Sequence, residues 1–279
     1  MGKKYQYLAL LAILLIVGLV IYQTTREKTR ESAFEGEPPE TLPDMKPVAE
    51  TAIADDFQTG RLSEELWKLT KQNDFKQSII EIFDVGKGDK RLRMMADTIG
   101  TKDDTVKFHG ARSIARIDFN TEKKVSFDLD WNNQVNGCYL TAGVYLCPTA
   151  QDANPRDGPD WIALEYVGVP PGKNARFQVA RKAKGNLRFL FTEGWPDKQR
   201  TGRKIGNQHV ELLLDKKILK VMENGKELFS THEHGINFTQ AYLYLQMSSH
   251  SNYPAREIYF DNIRVKSANI DEASMLHRP

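Results

Sequence analysis

From Ile53 onward the apolar side chains recur every second residue over short runs broken by turn residues, and no long segment carries a helical period. In Lys124–Trp131, Val125, Phe127, Leu129 and Trp131 fall on one face, and Lys124, Ser126, Asp128 and Asp130 on the other. The same pattern marks "ARSIARIDF", "GCYLTAGVYLC", "DWIALEYVG", "ARFQVAR", "LRFLFTEG", "HVELLLD", "ILKVMENGKELFS", "AYLYLQMSS" and "EIYFDNIRV". Asn224-Gly225 sits between two such runs, and both residues tolerate positive φ, the signature of a tight hairpin. Many short strands without interleaved helices predict an all-β fold, a two-sheet antiparallel β-sandwich.

Alternation also sorts each strand into an inward and an outward set. In the run from Cys138 to Cys147, Leu140, Ala142, Val144 and Leu146 point inward with Cys138, while Tyr139, Thr141, Gly143, Tyr145 and Cys147 point outward. The two cysteines then lie on opposite faces of one strand and cannot bond to each other. A rival reading folds the run at Ala142-Gly143 and pairs them across a hairpin, but Ala-Gly suits that turn poorly. Elsewhere, Ile162, Leu164 and Tyr166 point inward against Trp161, Ala163 and Glu165, and Leu243, Leu245 and Met247 inward against Tyr242, Tyr244, Gln246 and Ser248.

The first residues follow a different rule. Lys3 and Lys4 precede an apolar run from Tyr5 to Tyr22 that Gln6 alone interrupts, close to the roughly 17 residues a spanning helix needs. The run ends Val20, Ile21, Tyr22, Gln23 without the small residues of a cleavage site, so residues 1–23 are expected to be an uncleaved transmembrane anchor rather than a signal peptide. Residues 24–52, with Pro38, Pro39, Pro43 and Pro47, form a linker with a reach of about 30 Å. The sandwich is expected over 53–266 and a flexible tail over 267–279. A single-pass protein of the cell membrane follows, its C-terminal domain outside the cytoplasm. A net charge of +2, from 39 basic and 37 acidic residues, gives no field to gather nucleic acid.

An opening "DDF" with a tryptophan soon after, a central "VSFDLDW", the "ENGKEL" hairpin and a closing "IYFDNIRV" resemble the jelly rolls of the concanavalin A-like lectin/glucanase superfamily, including laminin-G-like modules. The resemblance implies two curved antiparallel sheets whose concave side often holds carbohydrate. It also implies a structural calcium ion pinning the terminal strands, for which Asp55, Asp56 and Asp261 are placed, although Ca²⁺ wants six to eight oxygens. Family 16 glycoside hydrolases of this fold carry E-x-D-x-E on such a strand; here Ser126, Asp128 and Asp130 occupy those positions, without the glutamates. "YLTAGVYLC" is similar to the Y-x-K-A-G-x-Y-x-Q run of alginate-lyase-like jelly rolls, with Thr141 for lysine and Cys147 for glutamine.

Three functions follow from these residues. Aromatic side chains beside hydrogen-bonding groups suit the apolar faces and ringed hydroxyls of sugars. Tyr139, Tyr145, Trp161, Tyr242, Tyr244 and Gln246, sharing a surface with Asp128, Asp130 and Glu165, are expected to bind a polysaccharide or glycan without catalysis. The alternative is a polysaccharide-degrading hydrolase or lyase with Asp128, Asp130 or Glu165 as catalytic carboxylates. Residues two apart on a strand stand about 6.6 Å apart, within range for an acid and base pair. The third is an adhesion or assembly domain with a protein partner. His232 and His234 flank Glu233 in "THEHGI" and His109 stands alone; neither makes a metal-ligand pattern.

Overall fold

The alternating runs become strands of two stacked antiparallel sheets in the computed structural model, which describes residues 53–72, 75–101, 106–131, 140–168, 176–193, 206–250 and 252–267. In chain order the strands are β1 (Ala54–Asp55), β2 (Trp67–Lys71), β3 (Gln77–Gly86), β4 (Asp89–Asp97), β5 (Val106–Asp118), β6 (Lys123–Asp130), β7 (Leu140–Cys147), β8 (Trp161–Val167), β9 (Arg176–Ala183), β10 (Asn186–Thr192), β11 (Asn207–Leu214), β12 (Leu219–Glu223), β13 (Lys226–Thr231), β14 (Gln240–His250) and β15 (Arg256–Ser267). The only helical turn among the described residues is a 3₁₀ turn at Pro155–Asp157. The expected anchor, the linker and all of the tail but Ser267 lie outside the described residues. Among the described residues no helix is long and apolar enough to cross a membrane.

The larger sheet runs β13-β12-β11-β6-β15-β4-β3, with β1 added alongside β15; the other runs β10-β9-β8-β7-β14-β5-β2. Sequential hairpins build the flanks, whereas the middle of each sheet joins distant segments, β6 with β15 and β7 with β14. The predicted division of faces holds among the described residues. Val125, Phe127, Leu129 and Trp131 meet Ile162, Leu164, Tyr166, Leu243, Leu245 and Met247 in the buried layer between the sheets. Aromatic rings pack within it, Trp131 edge-on to Tyr166 across the layer at 5.2 Å and Tyr166 tilted on Phe177, its neighbour on the adjacent strand, at 5.1 Å. Burying each such ring contributes about 1.5–3 kcal/mol.

The turns are as specific as the strands. Asn224 and Gly225 have φ of 49° and 76°, as the tight hairpin between β12 and β13 requires. Lys87 and Gly88 do the same between β3 and β4, at φ 60° and 80°. Strands β1 to β4 were not among the clear alternating runs: β3 is largely exposed and β2 is only five residues long. The opening "DDF" and its tryptophan form a clasp, for the Trp67 indole N–H donates to Asp55 Oδ2 at 2.8 Å and the Phe57 N–H to Asp55 Oδ1 at 2.9 Å. The run to Cys147 is one continuous strand, which excludes the Ala142-Gly143 hairpin, and Cys147 is a free, buried thiol. Cys138 and Tyr139 lie outside the described residues.

Candidate functional site

The sandwich has two outer faces, and the expected sugar-binding surface is divided between them. Tyr145, Trp161, Glu165, Tyr242, Tyr244 and Gln246 belong to strands of the seven-stranded sheet, Asp128 and Asp130 to β6 of the other. The aromatics and these aspartates therefore cannot line one site. Period two reports which side of its own strand a residue occupies; it carries no information about which sheet the strand joins.

The aromatic face is not open either. Phe108, Tyr145, Cys147, Trp161, Ala163, Ala180 and Tyr244 form a second buried cluster on the outer side of the seven-stranded sheet. The connection 148–160 between β7 and β8 lies over it. The Gln151 N–H donates to the Tyr244 hydroxyl at 2.6 Å, the carbonyl of Arg156 accepts the Trp161 indole N–H at 3.3 Å and Lys182 Nζ at 3.2 Å, and the Cys147 thiol approaches the Pro155 carbonyl at 3.5 Å. The Arg156 guanidinium lies 5.4 Å from the Phe108 ring centroid and 5.9 Å from that of Tyr145. It pairs with the Glu165 carboxylate, which has no exposed surface. Glu165 also accepts from the Tyr145 hydroxyl and, at 2.6 Å, from Gln178 Nε2. Burial holds the Tyr145 phenol and the Cys147 thiol well above their ordinary values, so neither ionises near neutral pH. A carboxylate this enclosed and this fully bonded has no approach for a substrate. Gln246 donates to Thr70 Oγ1 at 2.7 Å and is likewise buried. Tyr242 alone of the predicted aromatics in the described residues stays partly exposed, its ring under the guanidinium groups of Arg112 and Arg116 at 4.6 and 5.1 Å.

The eight-stranded sheet carries the opening. A cleft of about 560 Å³ lies against β4, β6, β11 and β15, lined among the described residues by Asp56, Gln58, Asp89, Arg91, Asp128, Asn207, Gln208, His209, Asn224, Asp261 and Asn262. Every one of these side chains is polar or charged. A second hollow of about 350 Å³ shares Asp128, His209 and Asn262 and extends toward Lys124, Glu211, Arg264 and Lys266. Register makes the site: His209 and Asp261 stand directly across from Asp128 on the two neighbouring strands. His209 Nδ1 lies 2.6 Å from Asp128 Oδ1, and Asn262 Nδ2 donates to Asp128 Oδ2 at 2.7 Å. Asn262 reaches it because β15 bulges between Asp261 and Arg264 and sets Asn262 at φ 52°. Arg91 pairs with Asp89 at 2.6 Å and approaches Asp130 at 3.9 Å. Burial and the neighbouring Asp89 raise the Asp261 carboxyl to about 6, outweighing the N–H it accepts from Asn262.

These contacts place the sequence candidates. Both oxygens of Asp128 are engaged and Asp130 faces Arg91, so the pair that passes on spacing does not present a free acid beside a free base. Of the three carboxylates placed for calcium, Asp55 accepts the Trp67 and Phe57 N–H groups, while Asp56 and Asp261 line the cleft. Among the described residues no three histidine, cysteine or acidic side chains are grouped to hold a metal ion. His234 accepts the Ile236 N–H through Nδ1 and His109 is buried against Phe75. Sequence reasoning missed His209, Asn207, Gln208, Asn224 and Asn262 as site residues; only the Asn-Gly pair at the hairpin gave a signal, and it was a signal for a turn.

No protein-family model and no curated protein matches this chain. Solved structures do. A structure described among the endo-acting O-glycanases that prominent members of the human gut microbiota express to initiate mucin breakdown aligns at 18% identity over 77% of this chain and 98% of its own, with a TM-score of 0.53. A GlcNAcα1-4Gal-releasing endo-β-galactosidase from Clostridium perfringens aligns at 9% identity over 85% of this chain and 66% of its own, TM-score 0.53. The globular domain of T. cruzi calreticulin aligns at 14% identity over 81% and 90%, TM-score 0.51. The fold is that of the concanavalin A-like jelly rolls.

Proposed function

We propose that the protein is a membrane-tethered, extracytoplasmic module that binds carbohydrate in the cleft of the eight-stranded sheet without cleaving it. The observation that carries this reading is the cleft itself. Its walls are amides, carboxylates, an arginine and a histidine, the donors and acceptors that ringed hydroxyls need, most of them held on strands, with Asp56, Gln58 and Asn224 on turns. Two structures with this fold are described by their action on glycans, which supports the ligand class. Non-catalysis is supported by the state of the carboxylates: Glu165 is enclosed and Asp128 is doubly bonded. The anchor over 1–23 and the linker over 24–52 would hold this surface away from a membrane.

The test is a screen of the purified full chain against a broad polysaccharide panel, recording bound protein and released reducing or unsaturated ends together. Binding without product, lost in Asn207→Ala combined with Gln208→Ala, is the expected outcome. Binding lost only in Trp161→Ala would move the site to the seven-stranded sheet. Released product would replace the module by an enzyme, and capture of protein but no glycan would replace it by an adhesion domain.

A further inference from the structure

We propose that the cleft is selective for cationic sugars and takes the protonated amine of a hexosamine unit, with the Asp261 carboxylate as its counterion. This rests on the glycan-binding reading and names the ligand class of the same site.

The argument begins with what each charge in the cleft is already doing. Arg91 is paired with Asp89, and the Asp128 carboxylate is held by His209 and Asn262. Asp261 is different. It is only 8% exposed, yet no lysine, arginine or histidine of the described residues lies within ion-pair distance of it. Its Oδ1 accepts the N–H of Asn262 at 2.8 Å, while its Oδ2 receives only a long contact of 3.4 Å from Asn262 Nδ2. A buried carboxylate with one good hydrogen bond, no ion pair and only the field of Arg91, which is already paired with Asp89, is costly to keep. It faces into the cleft, where a bound ammonium would supply both the missing charge and the missing donors.

The surroundings choose the sign of the ligand. The groups around Asp261 are Asp89 and Arg91 from β4, Asp128 from β6, His209 from β11 and Asp56 near β1. With Arg91 matched to Asp89, the balance is acidic, which disfavours uronates and sulfated sugars and favours a cation. The elevated titration of Asp261, near pH 6, agrees with a carboxylate that lacks its partner. An amine suits the site better than a metal ion, because its hydrogen bonds to Asp261 and neighbouring oxygens can be made singly, whereas calcium needs six to eight oxygens at once.

The full chain would be titrated with glucosamine oligomers, with N-acetylglucosamine oligomers of equal length, and with oligogalacturonate. The glucosamine oligomer is expected to bind at least about tenfold more tightly than its acetylated counterpart, the worth of one charge-assisted hydrogen bond, and the oligogalacturonate not at all. Asp261→Asn should abolish that ratio by weakening the glucosamine oligomer to the affinity of the acetylated one. Asp56→Asn, an exposed position that does not threaten the fold, should reduce the ratio by about twofold to threefold through the lost field alone. The advantage of the native chain over Asp261→Asn for the glucosamine oligomer should shrink as pH falls from 7 to 5, since protonation of the ligand amine is common to both. Equal affinity for both oligomers overturns the charge selectivity and leaves the glycan reading standing, as does a ratio that survives Asp261→Asn. Calcium binding that competes with the glucosamine oligomer overturns the amine assignment, and binding of no oligomer ends both readings.

Discussion

The two outer faces of this sandwich start from the same alternation and end in opposite states. On the seven-stranded sheet the outward positions hold large aromatics, and a connection of ordinary loop composition lies across them, fastened by Arg156 to a buried glutamate. On the eight-stranded sheet the outward positions around the opening hold polar and charged side chains, and the surface stays open as a cleft. Aromatic rings left in water cost free energy that a covering loop recovers, whereas aspartates and asparagines are solvated without help. The face that looked more like a sugar platform is therefore the closed one. Composition of a face predicts whether something will cover it, and the cover can be the chain itself.

The sharpest way to break the contrast is at the closed face. A Cβ added to Gly110 would stand 2.0 Å from the Leu245 carbonyl oxygen and 3.0 Å from Gln246 Cα, both backbone atoms that cannot swing aside. Gly110→Ala is expected to destabilise by about 3 kcal/mol or more, read from urea unfolding, with no change in the slope if two-state behaviour persists. Next comes the fastening of the loop. Arg156→Ala strands the Glu165 carboxylate, a loss of about 3–5 kcal/mol for a fully buried pair; the partial exposure of Arg156 reduces the expectation to about 2–3 kcal/mol. Quenching of tryptophan fluorescence should rise as Trp161 is uncovered. Arg156→Met combined with Glu165→Leu should recover most of the loss, and if it does not, the hydrogen bonds from Tyr145 and Gln178 matter more than the charge pair.

At the open face the effects are smaller and one has the opposite sign. Because the Asp261 carboxyl titrates near 6 in the folded protein against about 3.9 for an unfolded aspartate, the native state binds more protons in that window. Stability should fall as pH rises from about 4 to 6 and the cost should be complete above that. Asp261→Asn is expected to raise stability at pH 7 by about 1–2 kcal/mol and to flatten that slope in thermal melts, the behaviour of a side chain kept for function rather than for folding. Asn207→Ala should move stability by less than about 0.5 kcal/mol while weakening glycan binding by about threefold to tenfold in calorimetry. A large stability change at Asn207 would mean that the cleft wall is structural and that the two faces differ less than their openness implies.

Much of the architecture was written in the order of residues. Period two separated Val125, Phe127, Leu129 and Trp131 from Asp128 and Asp130, and the Asn224-Gly225 pair located its hairpin, because both depend on geometry within a few residues. The strands that escaped notice, β2 to β4, are a short one and a largely exposed one with its partner, where burial does not impose alternation on both sides. The candidate site was legible only in part: Asp128 was singled out as a catalytic carboxylate and Asp56 and Asp261 as calcium ligands, and the structure places all three along one cleft. What brought His209, Asp128 and Asp261 side by side is the pairing of β11, β6 and β15, which lie far apart in sequence. Local sequence sets which way a side chain points from its own strand. Which strands become neighbours, and whether the loop between β7 and β8 turns away or folds across the sheet, is set by the burial of the whole sandwich, and those two choices decided where this protein is open.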